Sequence, residues 1–213
     1  MKKLAVTALV LIALGGCFDY AERLRLSPSG TAEAAIRYDM PPFMQPLAER
    51  GLFFPSTVTG ITDRFPQAKP ITGKDGMLLG FTLPEISLTV LDTPFVKRRY
   101  AVDTDGRFTF TLTITPPVGF ASEVSAAVHR YLQHIPFLSA AKTAVVRADA
   151  LAHMGPTFTV EFAAPVTTTN GIMHDNTVAW RVPVERFLHE DTIVLTAAGR
   201  LTWWQRVRSA LRM

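Results

Sequence analysis

The chain has 213 residues, of which 48% are hydrophobic and 19% are charged, a composition typical of a globular protein rather than a disordered one. Its formal charge of +4 includes Lys2 and Lys3 near the amino terminus, so the rest of the chain is too nearly neutral to indicate a nucleic-acid-binding protein. Cys17 is the single cysteine, which excludes a disulfide within the chain and any metal site built from several cysteines.

The first sixteen residues have the layout of a secretory signal peptide. Lys2 and Lys3 form a positive segment, residues 4–14 form an apolar run, and the small residues Gly15 and Gly16 follow. A membrane-spanning anchor is the alternative, but the run is too short because a helix needs about 20 apolar residues to cross a bilayer. We therefore expect residues 1–16 to be removed on export.

Residues 14–17 read Leu-Gly-Gly-Cys and resemble the lipobox of bacterial lipoproteins. The resemblance implies that Cys17 carries a diacylglyceryl group and that signal peptidase II cuts between Gly16 and Cys17. Two acyl chains give stable membrane anchoring. In Gram-negative lipoproteins an aspartate after the cysteine usually signals retention in the inner membrane. Phe18 stands there, so in a Gram-negative source the resemblance implies the outer membrane, facing the periplasm.

The first part of the mature chain predicts a hairpin followed by irregular structure. Residues 20–27 alternate as a strand does, a Pro-Ser-Gly turn follows, and residues 31–38 are expected to pair back. Residues 41–50 predict a short helix that Gly51 ends. Residues 55–76 are rich in Pro, Gly and Thr, which predicts mostly loop and turn with short extended pieces.

The middle of the chain predicts four more strands. Residues 77–83 and 86–91 are two short candidates, and residues 96–102 and 107–115 predict a hairpin. In the last of these, apolar residues alternate with threonines, which indicates a strand with one apolar and one polar face. Residues 103–106, Asp-Thr-Asp-Gly, supply the turn.

After Gly119 the pattern becomes helical and then returns to strands. Residues 120–134 and 138–154 predict two helices, and residues 157–162, 178–182 and 192–197 predict three strands. This order predicts an α+β domain over residues 17–201, an antiparallel β-sheet with two helices packed on one face.

Residues 167–183 read TTTNGIMHDNTVAWRVP, an Asn-Gly turn followed by a strand that contains Trp180. This segment resembles the end of the LppM-type domain of bacterial lipoproteins, and the hairpin over residues 23–36 is similar to the one that such domains place soon after the lipidated cysteine. The resemblance implies an α+β extracytoplasmic domain suited to lipid or glycolipid contact. The residues alone predict that Trp180 is packed in the core.

The last residues, 202–213, form an amphipathic tail. On a helical wheel Trp203 and Trp204 share one arc with the apolar residues, whereas Arg206, Arg208 and Arg212 lie on the other side. These five residues are candidate membrane-interface contacts, because tryptophans and arginines suit a helix that lies in the interface. The alternative is a terminal helix that packs its tryptophans on the domain, and the wheel does not separate the two. Many LppM-type proteins end in a membrane-spanning helix, which this tail is too short to form.

The sequence contains no recognisable catalytic or metal-binding motif, so we predict no catalytic residues, metal or cofactor. His174 and Asp175 stand in a polar turn that predicts a local hydrogen bond. Residues 103–106 lack the later ligands of a calcium loop. Residues 97–99, Lys-Arg-Arg, predict a solvated strand edge that discourages aggregation, with contact to lipid head groups as the alternative.

These features predict a noncatalytic, membrane-anchored lipoprotein that binds lipid, glycolipid or a protein partner at the cell envelope. An envelope assembly or scaffold lipoprotein that acts only through protein contacts is the alternative, and a periplasmic hydrolase is a third. A deep apolar pocket would favour ligand binding. A flat apolar patch would favour a protein partner, and a cleft with perturbed titratable groups would favour catalysis.

Overall fold

A computed structural model describes residues 19–39, 54, 57–73, 78–120, 122, 123, 126, 129, 152 and 155–211. The strands of these residues are β1 (Asp19–Leu26), β2 (Thr31–Asp39), β3 (Lys69–Thr72), β4 (Leu78–Ser87), β5 (Val96–Val102), β6 (Arg107–Ile114), β7 (Thr157–Glu161), β8 (Val166–Thr169), β9 (Ile172–His174), β10 (Thr177–Arg181) and β11 (Ile193–Arg200). The helices are α1 (Val58–Arg64), α2 (Val184–His189) and α3 (Trp203–Leu211), with a 3-10 helix at Leu88–Leu91.

The strands form two sheets. The larger sheet has the order β3-β4-β2-β1-β7-β10-β9, and the smaller sheet has the order β5-β6-β11-β8. β1 and β7 run parallel, whereas the other neighbouring strands run antiparallel. A parallel pair cannot be joined by a tight turn, and here the five strands β2 to β6 lie between β1 and β7 in the chain.

The two sheets pack face to face through the apolar positions of their alternating strands. In β6, the side chains of Phe108, Phe110, Leu112 and Ile114 are buried, and the threonines that alternate with them point to the opposite face. The ring centroids of Phe108 and Phe162 lie 5.2 Å apart, and those of Phe110 and Trp180 lie 6.1 Å apart. Because Phe162 follows β7 and Trp180 belongs to β10, the smaller sheet covers this half of the larger one.

The other half of the larger sheet is covered by α1 and the residues around it. Phe81 of β4 contacts Phe54 and Phe65, with ring centroids 5.6 and 5.7 Å away. Ile61, the buried residue of α1, belongs to the same core. The helix begins at Thr57, whose hydroxyl accepts a hydrogen bond from the Gly60 backbone N–H.

The strand register gives the sandwich two distinguishable ends. β1 runs from Asp19, which pairs with Asp39, to Leu26, which pairs with Ala32. We call the end at Asp19 the leader end, because the predicted leader precedes it in the chain, and the end at Leu26 the tail end. β7 is parallel to β1, with Arg25 opposite Glu161, so the residues after β7 also lie at the tail end.

The turn between β5 and β6 lies at the tail end as well. Tyr100 of β5 packs against Gly30 of the β1–β2 turn so closely that a Cβ on Gly30 would lie 2.9 Å from the Tyr100 ring. Arg98, two residues earlier in β5, contacts Glu22 of β1. The chain therefore runs along β5 toward the tail end, and the turn at residues 103–106, which follows β5, lies at that end.

Several predicted elements are confirmed. The predicted hairpins correspond to β1 with β2 and β5 with β6, and the three later strands correspond to β7, β10 and β11. In the second turn the Asp103 carboxylate accepts a hydrogen bond from the Arg107 N–H at 2.8 Å, and Gly106 has a φ of +77°, which glycine adopts without strain.

Other predictions are wrong. The structure is mostly β with two packed sheets, not one antiparallel sheet with two helices on one face. Strands 77–83 and 86–91 are instead one strand, β4, and a 3-10 helix. A bulge opposite Ala32 and Ala34 lets β4 pass Pro84, which lacks a backbone donor. The segment 55–76, predicted as mostly loop and turn, contains the helix α1, whereas its short strand β3 agrees with the short extended pieces that were expected.

The remaining predicted helices are largely outside the described residues. The helix predicted over 41–50 lies entirely outside them. Of the helices predicted over 120–134 and 138–154, only residues 120, 122, 123, 126, 129 and 152 are described, and these have helical backbone.

Candidate functional site

A buried ion pair joins the two sheets at the centre of the molecule. Arg98 of β5 donates from Nε to Glu22 Oε1 at 2.7 Å and from Nη2 to Glu22 Oε2 at 2.6 Å. The Arg98 side chain is 1% exposed and that of Glu22 is fully buried. Arg98 Nη1 also donates to the Leu91 carbonyl, and the Tyr20 hydroxyl donates to Glu22 Oε2. The prediction that residues 97–99 form a solvated edge is therefore wrong for Arg98, although Lys97 and Arg99 are exposed.

The electrostatics of this cluster favour its present protonation state. Burial by itself would lower the pKa of Arg98, but the attraction of Glu22 outweighs this effect and leaves the pKa above its usual value. Burial, followed by the negative charge of Glu22, raises the pKa of Tyr20 well above its usual value. Each charged group thus has its counter-charge and hydrogen bonds inside the core. The arrangement holds the sheets together and offers no side chain to a substrate.

The Asn-Gly turn upstream of Trp180 supports that tryptophan directly. Asn170 Oδ1 accepts hydrogen bonds from Trp180 Nε1 and from the Thr196 N–H, both at 2.9 Å. Gly171 lies against the indole, and a Cβ there would be 2.5 Å from Trp180 Nε1. The predicted burial of Trp180 is confirmed, since it is 3% exposed, and its contacts explain why Asn and Gly stand together in this motif.

The helix α3 follows β11 directly and begins with a capping box. The Thr202 N–H donates to Gln205 Oε1 at 2.7 Å, and the Gln205 N–H donates to Thr202 Oγ1 at 3.4 Å. Immediately before it, Leu201 is buried and donates its N–H to the carbonyl of Gly106. The start of α3 is therefore fixed to the β5–β6 turn at the tail end.

The polar side of α3 faces the domain. Gln205 Nε2 donates to the backbone carbonyl of Ala163, which follows β7. The Arg206 side chain lies on the β5–β6 turn, where a Cβ added to Gly106 would be 2.4 Å from Arg206 Cδ. Gln205 and Arg206 are half-buried. Both contacts are made with turns at the tail end of the sandwich.

The apolar side of α3 begins with two exposed tryptophans. Trp203 is 58% exposed and Trp204 is 68% exposed. Their rings contact each other edge to face, with centroids 4.5 Å apart. At about 100° per residue, both tryptophans lie away from the direction of Gln205 and Arg206. Val207 lies between the tryptophans on the wheel but is half-buried. We call the exposed surface of Trp203 and Trp204 the tryptophan arc.

The predicted site residues are only partly within the described chain. Trp203, Trp204 and Arg206 are described, and Arg206 lies against the domain rather than beside the tryptophan arc. Arg208 belongs to α3 by its backbone. Gly16, Cys17 and Arg212 lie outside the described residues, as do the predicted leader and cleavage site. No helix of the described chain is long and apolar enough to span a membrane.

Open depressions lie on the outer faces of both sheets within the described part of the chain. One of them, about 620 Å³, lies on the outer face of the smaller sheet near the tail end. Its lining includes the exposed residues Asp103, Arg107, Thr109 and Arg200. Another, about 410 Å³, lies on the outer face of the larger sheet beside Arg25 and Glu161. Among the described residues, no group of three His, Cys, Asp or Glu side chains is placed to hold a metal ion.

His174 and Asp175 make the local contact that the sequence predicts. The His174 Nδ1 and an Asp175 carboxylate oxygen lie 3.2 Å apart, and both side chains are almost fully exposed. Asp175 has a φ of +54° at the β9–β10 turn. The pair belongs to an exposed turn and is not part of a cleft.

Comparisons with known proteins give one structural neighbour. No family model matches the sequence, and no curated protein matches it. Among solved structures, the chain is similar to the folded domain of LppM from Mycobacterium tuberculosis, determined by NMR, with 14% sequence identity and a TM-score of 0.44. The match covers 87% of this chain and 90% of that chain.

Proposed function

We propose that this chain is a noncatalytic bacterial lipoprotein, anchored by lipid on Cys17, whose domain contacts a lipid surface through the tryptophan arc. The observation that carries the proposal is the orientation of α3. A terminal helix of a globular domain ordinarily buries its apolar side. Here Gln205 and Arg206 contact the domain, while Trp203 and Trp204 remain 58% and 68% exposed.

The chemistry of the tail suits a membrane interface. Tryptophan is enriched at the level of the lipid head groups, where its ring contacts apolar chains and its N–H contacts water. Besides Arg206, which lies against the domain, residues 203–213 contain Arg208 and Arg212 and no acidic residue. Each arginine near an anionic bilayer adds on the order of 1 kcal/mol of attraction. Tryptophans and arginines in one short helix therefore favour an anionic lipid surface over a neutral one.

The anchor is supported by the sequence. An apolar run of signal-peptide length precedes Leu-Gly-Gly-Cys at residues 14–17, and two acyl chains on Cys17 hold a protein stably on a bilayer. With Phe18 rather than aspartate after the cysteine, we propose the periplasmic face of the outer membrane as its location in a Gram-negative cell.

The anchor is tested by replacing Cys17. In cells fed a radiolabelled fatty acid, the natural protein is expected to carry the label and to migrate at its processed size. The Cys17→Ser variant should carry no label and should keep the leader. A labelled or processed Cys17→Ser protein would contradict the proposal.

The lipid contact is tested by fluorescence, because the chain has three tryptophans and only Trp180 is in the core. The lipidated protein is mixed with vesicles that all contain brominated anionic lipid, which quenches tryptophans in contact with it. We expect strong quenching of the natural protein and little in the Trp203→Phe and Trp204→Phe double variant, whose emission comes from Trp180. Equal quenching of the two proteins would show that the tryptophan arc does not contact lipid.

A further inference from the structure

The lipid anchor and the tryptophan arc belong to opposite ends of the domain. Cys17 is two residues before Asp19, the first residue of β1. Because a chain extends by at most about 3.6 Å per residue, Cys17 is within roughly 7 Å of the leader end. Any bilayer that holds lipid on Cys17 is therefore close to the leader end of the sandwich.

The length of β1 separates this end from α3. Seven residue steps lead from Asp19 to Leu26, and at about 3.3 Å per residue they span roughly 23 Å. Phe162, which follows β7, is level with Leu26 in the parallel register. Ala163, the contact of Gln205, lies beyond that point. The helix is thus farther from the leader end than the two-residue connection can reach.

The tryptophan arc is directed away from the leader end. The helix contacts the domain at Ala163 and Gly106, and both belong to turns of the tail end. The side of α3 opposite these contacts faces outward from the tail end. An upright domain with Cys17 in a bilayer therefore presents Trp203 and Trp204 to whatever lies on the far side.

From this geometry we propose that the tryptophan arc contacts a second bilayer, apposed to the one that holds Cys17. The protein then acts as a short tether between two lipid surfaces separated by about the length of the domain. This inference rests on the proposed lipid contact of α3 and names the lipid that is contacted. Arg208 and Arg212, the two arginines that follow Arg206 in the tail, favour an anionic second surface.

The experiment uses the full lipidated protein in two vesicle populations. Donor vesicles of neutral lipid carry the protein through its anchor. Acceptor vesicles of anionic lipid carry none. Brominated lipid is placed in the donor in one sample and in the acceptor in another, and tryptophan quenching and vesicle clustering by light scattering are measured in both.

The tether predicts quenching by brominated acceptor lipid, little quenching by brominated donor lipid, and clustering that requires the protein. The Trp203→Ser and Trp204→Ser double variant should lose both the quenching and the clustering. Val118→Ser is the matched control, because Val118 is fully exposed in a loop after β6, and it should keep both. Clustering is also expected to weaken with neutral acceptor vesicles.

Two other outcomes overturn different claims. Quenching by brominated donor lipid without clustering would mean that the domain lies on its own membrane, which overturns the tether and leaves the proposed lipid contact in place. No quenching by either population would overturn the lipid contact itself, and the tether with it. A labelled Cys17 in the same preparation confirms that the anchor is present in each case.

Discussion

Charged side chains are usually exposed and large apolar side chains are usually buried, but the centre of the molecule and its tail end each depart from one half of this rule. At the centre, Glu22 and Arg98 are charged and buried. At the tail end, Trp203 and Trp204 are apolar and exposed. The buried charges have their partners within the core, whereas more than half of the surface of each tryptophan is exposed to solvent. We conclude that the first feature stabilises the fold and the second is available for binding.

The largest effect is expected from breaking the central ion pair. Arg98→Met leaves the Glu22 carboxylate buried without its counter-charge, which should lower the free energy of unfolding by about 3–5 kcal/mol. Urea denaturation measures this loss. The double variant Glu22→Leu and Arg98→Met removes both charges and should recover much of the stability. A single variant as stable as the natural protein would contradict the structural role of the pair.

A smaller loss is expected at Asn170. Asn170→Ala removes the acceptor of Trp180 Nε1 and of the Thr196 N–H, which should cost about 1 kcal/mol because the partly buried indole N–H loses its partner. Thermal unfolding followed by the fluorescence of Trp180 in the Trp203→Phe and Trp204→Phe background reports the change. Thr168→Ala, at an exposed position of the same strand β8, is the control. Equal stability of the two variants would mean that Asn170 does not support the indole.

Alkaline pH should weaken the core gradually. Burial raises the pKa of Tyr100 to about 12 from an ordinary value of 10.0, so the folded state favours the neutral phenol. Stability from this residue is complete below pH 10 and is lost as the pH rises toward 12. Tyr100→Phe removes this titration, and its free energy of unfolding should fall less steeply across that interval. An unchanged slope would show that the pKa of Tyr100 is the same in the folded and unfolded states.

The smallest effect on stability is expected at the tail. The Trp203→Ser and Trp204→Ser double variant changes side chains that make few contacts with the domain, so the free energy of unfolding should change by no more than about 0.5 kcal/mol. The same variant is the one expected to lose lipid contact. A loss of several kcal/mol would mean that the tryptophans pack on the domain and would remove the contrast between the two regions.

Local signals in the sequence were sufficient for the hairpins. The alternation of threonines with Phe108 and Phe110 specifies both faces of β6, and Asp103 and Gly106 specify its turn. Arg98 was misjudged because its partner, Glu22, is 76 residues away in the chain, and no local pattern reports such a contact. The helix α1 was missed within a Pro- and Gly-rich segment, although the capping residue Thr57 was a usable signal.

The candidate site was also only partly predictable. The amphipathic pattern of residues 203–213 correctly indicated a helix. The pattern did not indicate which side contacts the domain, because a helical wheel contains no information about neighbouring elements. That information comes from Ala163 and Gly106, which meet α3 through the pairing of β7 with β1 and of β5 with β6. The separation of Cys17 from α3 likewise follows from the strand register.

The orientation of α3 is tested most directly by tryptophan emission from residues 18–213, produced without leader or lipid. In the Trp203→Phe and Trp204→Phe double variant, the emission comes from Trp180 alone. Subtracting this spectrum from that of the natural protein gives the emission of Trp203 and Trp204, which we call the tail emission. We predict that the tail emission is red-shifted and readily quenched by acrylamide in water, and that it shifts to the blue when anionic vesicles are added. Tail emission that is blue-shifted and protected from acrylamide without vesicles would show that the tryptophans are packed on the domain, which contradicts the account.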